Sequence, residues 1–308
     1  MSKTRQREHY LNAIRSIQVR SKLQLERGRL FILAAAILWS LGGVFIKFLD
    51  IHPLAIVFYR SLFAAIVFTP FLKRYDFCFN GRILFSVLSY TAAISAFVSA
   101  NKLTSAASAI VLQYTAPIFV FLFSWLVMRE QIAKPNIFAL GVAMIGIGII
   151  SFDSAGEPEM AGVALALLSG VLFAGYMINL QRTNNVAPVY LTWVNNLVCA
   201  FLIFGIVQSH LTLTAAQIVI LVIMGAVQLG APYFLFSKGL RSVSLQEASL
   251  IALIEPVLNP LWVALIVGEF PSTATVWGGA MILFGLGVRY VWPVIGSHAE
   301  AKAIDQTS

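Results

Sequence analysis

The chain has 308 residues and a formal net charge of +8; 59% of its residues are apolar and only 11% are charged. A soluble chain carries about 25% charged residues, and the mean hydropathy of +0.85 lies far on the apolar side, so the composition excludes a soluble globular protein. The excess basic charge lies between apolar runs, where it orients a membrane protein rather than forming a nucleic-acid-binding face.

In chain order, residues 1–28 form a basic tail, containing Leu11, Ile14, Ile17 and Leu23, that either lies on anionic lipid as a short amphipathic helix or serves only to fix orientation. Ten apolar runs follow, each near the ~20 residues that a helix needs to cross a bilayer core. The first five are Arg29–Phe48, Leu54–Leu72, Ile83–Asn101, Ala106–Met128 and Pro135–Phe152. The second five are Ala161–Leu180, Val189–Gln208, Ala215–Ser237, Leu245–Val267 and Thr273–Trp292. The runs are apolar on all sides rather than alternating, which favours helices over barrel strands. Residues 293–308 form a second tail, and no loop is long enough for a soluble domain.

Eighteen of the 21 Lys and Arg residues fall in the tails and loops of one side, which the positive-inside rule assigns to the cytoplasm. Lys47, Arg60 and Lys102 are the exceptions. Cys78 and Cys199, together with His9, His52, His210 and His298, are scattered and give no disulfide framework or metal-ligand spacing. Walker and Rossmann patterns are absent, and no cofactor is expected.

The chain repeats itself. Ser105, Ala109, Pro117, Glu130, Gly146 and Gly148 recur 139 residues later as Ser244, Ala248, Pro256, Glu269, Gly285 and Gly287. Near the start of each half, Pro53 falls on Pro188 and Arg60 on Asn195 at an offset of 135. Five spans per half is an odd number, so the second half must enter the membrane from the opposite side. The expected fold is therefore all-α, with ten transmembrane helices arranged as two inverted five-helix repeats, residues 29–152 and 161–292. Inverted repeats of this kind build many transporters, with the binding site near the midplane.

Intramembrane ionisable residues mark functional sites by default. Glu255 lies about 11 residues into the ninth span, roughly 16 Å deep, and is followed by Pro256, which frees a backbone carbonyl. It is the candidate for proton coupling or for contact with a substrate amine; the alternative is a structural acid paired within the bundle. Arg60 lies roughly 9 Å inside the second span. It binds a substrate carboxylate, pairs with Glu255, or snorkels to the headgroups. Lys47 and Asp50 read as interfacial anchors, as does Glu247.

Glu130 and Glu269 lie just past helix ends and are assigned structural roles, capping neighbouring helices or holding loops; Pro117 and Pro256 are assigned structural roles in the backbone. Among the uncharged residues, Trp39, Tyr90, Gln113, Tyr114, Trp193 and Gln228 are the substrate-binding candidates because they lie well inside spans, with Tyr176, Asn179, Asn195, Asn196, Tyr233 and Asn259 behind them. Aromatic rings beside one carboxylate and one arginine suit a zwitterion or a cationic metabolite. The span glycines, Gly141, Gly146, Gly148, Gly278, Gly285 and Gly287 among them, read as helix-packing positions.

Leu38-Trp39-Ser40, Lys47, Pro53 and Arg60, then Pro117 with Glu130, resemble the opening copy of an EamA domain; Ile254-Glu255-Pro256, Gly268-Glu269 and Gly279 resemble the end of a second copy. Arg129 stands where that pattern usually has glycine. The resemblance covers residues 29–292 and is to the ten-span members of the drug/metabolite transporter superfamily. It implies a secondary transporter in a bacterial inner membrane; the charge bias puts both termini in the cytoplasm. The implied transporter moves a small organic metabolite (an amino acid, an amino-acid derivative or a related solute) by alternating access, coupled to protons or exchange. The implied partners are the solute and the lipid bilayer, without nucleic acid, and the chain acts as a monomer or homodimer. The alternative is a polytopic membrane enzyme or receptor; the clustered His, Asp, Ser or Cys of an enzyme are not seen at either interface.

Overall fold

The computed structural model describes residues 3–103, 106–153, 160–210, 212–268, 270 and 272–290. Every regular element in this set is helical: α1 (Lys3–Trp39), α2 (Gly42–Lys47), α3 (Pro53–Phe68), α4 (Gly81–Leu103), α5 (Ala106–Gln113), α6 (Ala116–Leu126), α7 (Lys134–Asp153), α8 (Met160–Arg182), α9 (Pro188–Val207), α10 (Ala215–Ile223), α11 (Ala231–Gly239), α12 (Leu245–Ala252), α13 (Glu255–Val267) and α14 (Thr273–Tyr290). α10 and α11 are joined by a π-helical segment, Met224–Gly230. Seven helical stretches among the described residues are long and apolar enough to cross a membrane, and two shorter apolar ones are Ala116–Leu126 and Lys134–Ile150. The molecule is an integral membrane protein. The tail expected over residues 1–28 continues into the first span, since α1 is helical from Lys3.

Local chemistry explains where the helices start and stop. Proline occupies a first-turn position of α3, α6, α9 and α13, where its missing N–H costs nothing. The Ser244 hydroxyl caps α12 by accepting from the Glu247 amide at 3.3 Å. Gly268 ends α13 with φ of 81°, a left-handed conformation that glycine takes without strain.

The most intimate helix contact is between α7 and α14. A Cβ placed on Gly146 would lie 2.4 Å from the Gly278 carbonyl oxygen, and one on Gly278 would lie 2.5 Å from that of Gly146. Further along, a Cβ on Gly285 would approach the Ala139 carbonyl to 3.1 Å. Residue numbers rise along α7 as they fall along α14, so the two helices run antiparallel. Gly141, Gly148 and Gly287 have nothing within 4 Å of such a Cβ; contrary to the sequence expectation, they are not packing positions here. Elsewhere α4 packs on α8, α3 on α9 and α1 on α11.

Candidate functional site

Three spans break and a fourth widens, and residues from all four places line one cavity. The first break is at Ser40 and Leu41, between α1 and α2. It leaves backbone carbonyls to satisfy, and two amide side chains do so: Gln228 Nε2 donates to Trp39 O at 3.3 Å and Asn259 Nδ2 to Ser40 O at 2.8 Å. Room for these amides comes from Gly42 and Gly43, where a Cβ would lie 2.8 Å from Gln228 and 2.7 Å from Asn259. Trp262 Nε1 donates to the Ser40 hydroxyl at 2.8 Å, closing this junction. Gln228 itself sits in the π-helical segment, a departure that commonly marks functional positions.

The other two breaks are copies of one another. Between α5 and α6, Thr115 N donates to Leu112 O at 3.2 Å and Ile118 N to Thr115 O at 2.9 Å. Between α12 and α13, Ile254 N donates to Ile251 O at 3.2 Å and Val257 N to Ile254 O at 3.2 Å. Each donor and acceptor is matched 139 residues later. Pro117 and Pro256 restart the helices after the breaks. Non-helical backbone at membrane depth is tolerated where it is buried in protein or lines a cavity.

A cavity of ≈ 50 Å³ lies among these breaks. Six of the eight expected substrate-binding residues line it: Trp39, Arg60, Gln113, Tyr114, Gln228 and Glu255; so does Pro117. Tyr90 stands one layer back, its ring 4.8 Å from that of Tyr233 and its hydroxyl donating to Asn196 Oδ1 at 2.8 Å. Trp193 lies elsewhere: its Nε1 donates to Thr69 Oγ1 at 3.1 Å and its ring packs on Phe77 and Tyr190. The cavity also takes Phe173 and Tyr233, both stacked edgewise on Trp39, together with the apolar Ile94, Phe97, Met177 and Leu229. An aliphatic or phenyl side chain deep in a span carries no mark that separates cavity wall from ordinary core. Tyr233 had such a mark in its hydroxyl, and a rule weighing aromatics near the glutamine of the same span would have raised it.

The charged groups are buried and kept apart. Arg60 is 2% exposed and Glu255 8%. The Glu255 carboxylate accepts a hydrogen bond from the Tyr114 hydroxyl, which joins the two copied breaks to each other. Arg60 and Glu255 face the same cavity but form no ion pair among the described residues. Arg60 Nε, Trp39 Nε1 and Gln228 Oε1 are buried without a hydrogen-bond partner.

The acids outside the cavity differ in their surroundings. Glu130 Oε2 accepts from Gln246 Nε2 at 2.7 Å, in the first turn of α12, which places its carboxylate at the N-terminus of a neighbouring helix. Glu247, expected at the interface, accepts from Arg29 Nε at 2.8 Å and pairs with its Nη2 at 2.7 Å. Glu269 lies outside the described residues.

Comparison with known proteins agrees with this architecture. A model described as the EamA-like transporter family matches residues 26–152 and again residues 160–290. A protein of Archaeoglobus fulgidus named only as an uncharacterized transporter is 28% identical over 275 residues, covering 85% of this chain and 96% of its own length. Human solute carrier family 35 member G1 is 22% identical over 291 residues, covering 85% of this chain and 78% of its own. A crystal structure at 16% identity superposes with a TM-score of 0.75 over 86% of this chain and 97% of that one, a likeness of fold.

Proposed function

The chain belongs to the EamA-like transporter family, within the drug/metabolite transporter superfamily, and is a membrane transporter; from that premise we propose that it is a secondary transporter that moves a small organic metabolite by alternating access, with Glu255 as the coupling carboxylate. The observation that carries this reading is the convergence of three helix breaks and a π-helical segment on one cavity containing a buried acid and a buried base. Discontinuous helices around a central site are how transporters present backbone dipoles and polar side chains to a solute.

Alternating access needs two halves of similar energy that can exchange roles. The helix pairing supports such an exchange. Swapping the halves turns the α4–α8 contact into the α1–α11 contact and leaves α3–α9 and α7–α14 unchanged. The antiparallel run of α7 and α14, the last helix of each half, supports opposite orientation of the halves across a bilayer, and so the ten-helix inverted repeat. A cavity of ≈ 50 Å³ holds a few waters, whereas sites for drug-sized ligands reach ~300–1,000 Å³. On this reading the half-helices must part to admit solute and close again behind it. Proton coupling, the amino-acid-like solute, cytoplasmic termini and a bacterial inner membrane belong to the same proposal, as does action as a monomer or homodimer.

Reconstitution into proteoliposomes tests it. Glu255→Gln should lose solute accumulation driven by an imposed pH gradient while inserting and expressing as the wild type does. Undiminished gradient-driven uptake in that variant would remove Glu255 from coupling.

A further inference from the structure

We infer that Arg60 is the anion-binding residue of the central cavity, and that the solute is an organic carboxylate whose apolar part lies against Trp39, Phe173 and Tyr233. This rests on the transporter reading above and names the class of solute. A guanidinium cannot shed its proton in a protein, so at 2% exposure it has to be compensated electrostatically. Arg60 makes no ion pair among the described residues, and its Nε is buried without a hydrogen-bond partner. The groups that face it are Tyr90, Tyr233 and Cys199, none of them an anion in the ordinary pH range. Glu255 shares the cavity, but its Oε2 is engaged by Tyr114.

Trp39 Nε1 is a second buried donor without a partner, and it lines the same cavity. Two donors, one of them a planar fork, match a carboxylate. A single carboxylate also neutralises a single guanidinium, whereas a doubly charged phosphate would leave an uncompensated negative charge in a low-dielectric site. Gln228 Oε1 is a free acceptor on the wall, available to an N–H or O–H of the same solute. The rings of Trp39, Phe173 and Tyr233 lie edge-to-face, with centroids 5.0–6.4 Å apart, and form the apolar end.

The first measurement needs no knowledge of the solute. Purified Arg60→Met in detergent, without added ligand, should melt at a higher temperature than the wild type, because an uncompensated buried charge has been removed. A lower melting temperature would mean that Arg60 is already paired, and the inference fails. The double variant with Glu255→Gln separates a hidden Arg60–Glu255 pair: recovery of stability in the double variant, after loss in each single one, also overturns the inference.

The second measurement uses four matched probes: L-phenylalanine, 3-phenylpropionate, phenethylamine and L-phenylalaninamide. The two carboxylates should raise the wild-type melting temperature, the amine and the amide should not, and Arg60→Met should abolish the response while Arg60→Lys weakens it. An amine that stabilises as well as the carboxylates, or a set in which neither carboxylate stabilises, overturns the inference. Glu255-dependent flux of the amine would leave the transporter reading standing without this one. Carboxylate binding without flux under any gradient would do the reverse.

Discussion

Tyr233 is the aromatic residue most embedded in the cavity wall, with its ring centroid 5.0 Å from Trp39, 4.8 Å from Tyr90 and 5.7 Å from Tyr176. Its ring also meets Phe173 at 6.4 Å, so removing it takes away apolar wall and loosens four neighbours together. Tyr233→Ala should therefore raise the half-saturation concentration for transport by roughly tenfold, the equivalent of about 1.4 kcal/mol. Trp193→Phe should leave it unchanged, because that side chain lies off the cavity beside Thr69 and Phe77. Concentration-dependent uptake in proteoliposomes checks both, and an unaltered half-saturation in Tyr233→Ala would remove the tyrosine from the site. These two residues also mark what was legible at this scale. Depth along a span can be counted from the sequence: combined with charge it singled out Arg60 and Glu255, and combined with a polar or aromatic side chain it singled out Trp39 and Gln228. The direction a side chain takes around its helix depends on which neighbours that helix meets. Trp193 and Tyr233 have comparable depth signals and opposite placements, and the apolar Phe173 and Met177 offered no signal at all.

At the scale of the helix, the copied prolines were legible but the breaks were not: Ala106–Met128 and Leu245–Val267 were expected as single spans, with only Pro256 read as freeing a carbonyl, and the structure splits both just before the proline. The break at Ser40–Leu41 was not legible, since its freed carbonyls are satisfied by Gln228 and Asn259 from distant helices. Glycine spacing was half legible. Gly146 and Gly278 meet backbone to backbone, while Gly148 and Gly287 face open space, and the sequence presents all four alike. The difference gives a prediction. Gly146→Leu forces a side chain against the Gly278 carbonyl, which cannot swing aside as a flexible side chain would. It should destabilise the protein by about 1–3 kcal/mol, measured as a lower thermal unfolding midpoint in detergent. Gly148→Ala should shift the midpoint little. Equal effects at the two positions would mean that α7 and α14 do not pack as described.

At the scale of the molecule, the two halves share their framework but not their closures. At the end of the bundle that the charge bias assigns to the cytoplasm, the N-terminus of α12 is held from three directions. Arg29 of α1 bonds Glu247, Glu130 accepts from Gln246, and the Tyr290 hydroxyl reaches Glu247 O at 3.4 Å. Shifted by 139, Gln246 and Glu247 fall on Ala107 and Ser108, so the other half has neither an amide nor a carboxylate at these positions. Under the proposed alternating access, an ion pair that closes one end and has no counterpart among the described residues of the other makes the two open states unequally populated. Arg29→Gln removes the ion pair while keeping a hydrogen-bonding side chain. About 1 kcal/mol lost from the closed state corresponds to roughly a fivefold rise in cytoplasmic opening. Ser249 lines the cavity from α12 and is 1% exposed, so Ser249→Cys, with Cys78 and Cys199 replaced by alanine, reports that opening. In inside-out vesicles a membrane-impermeant maleimide should label it several times faster when Arg29→Gln is also present, with labelling from the opposite face slowed. Unchanged rates from both faces would show that Arg29–Glu247 does not bear on closure, and the bias would then have to arise from the apolar contacts of α1 with α11 and α12 instead.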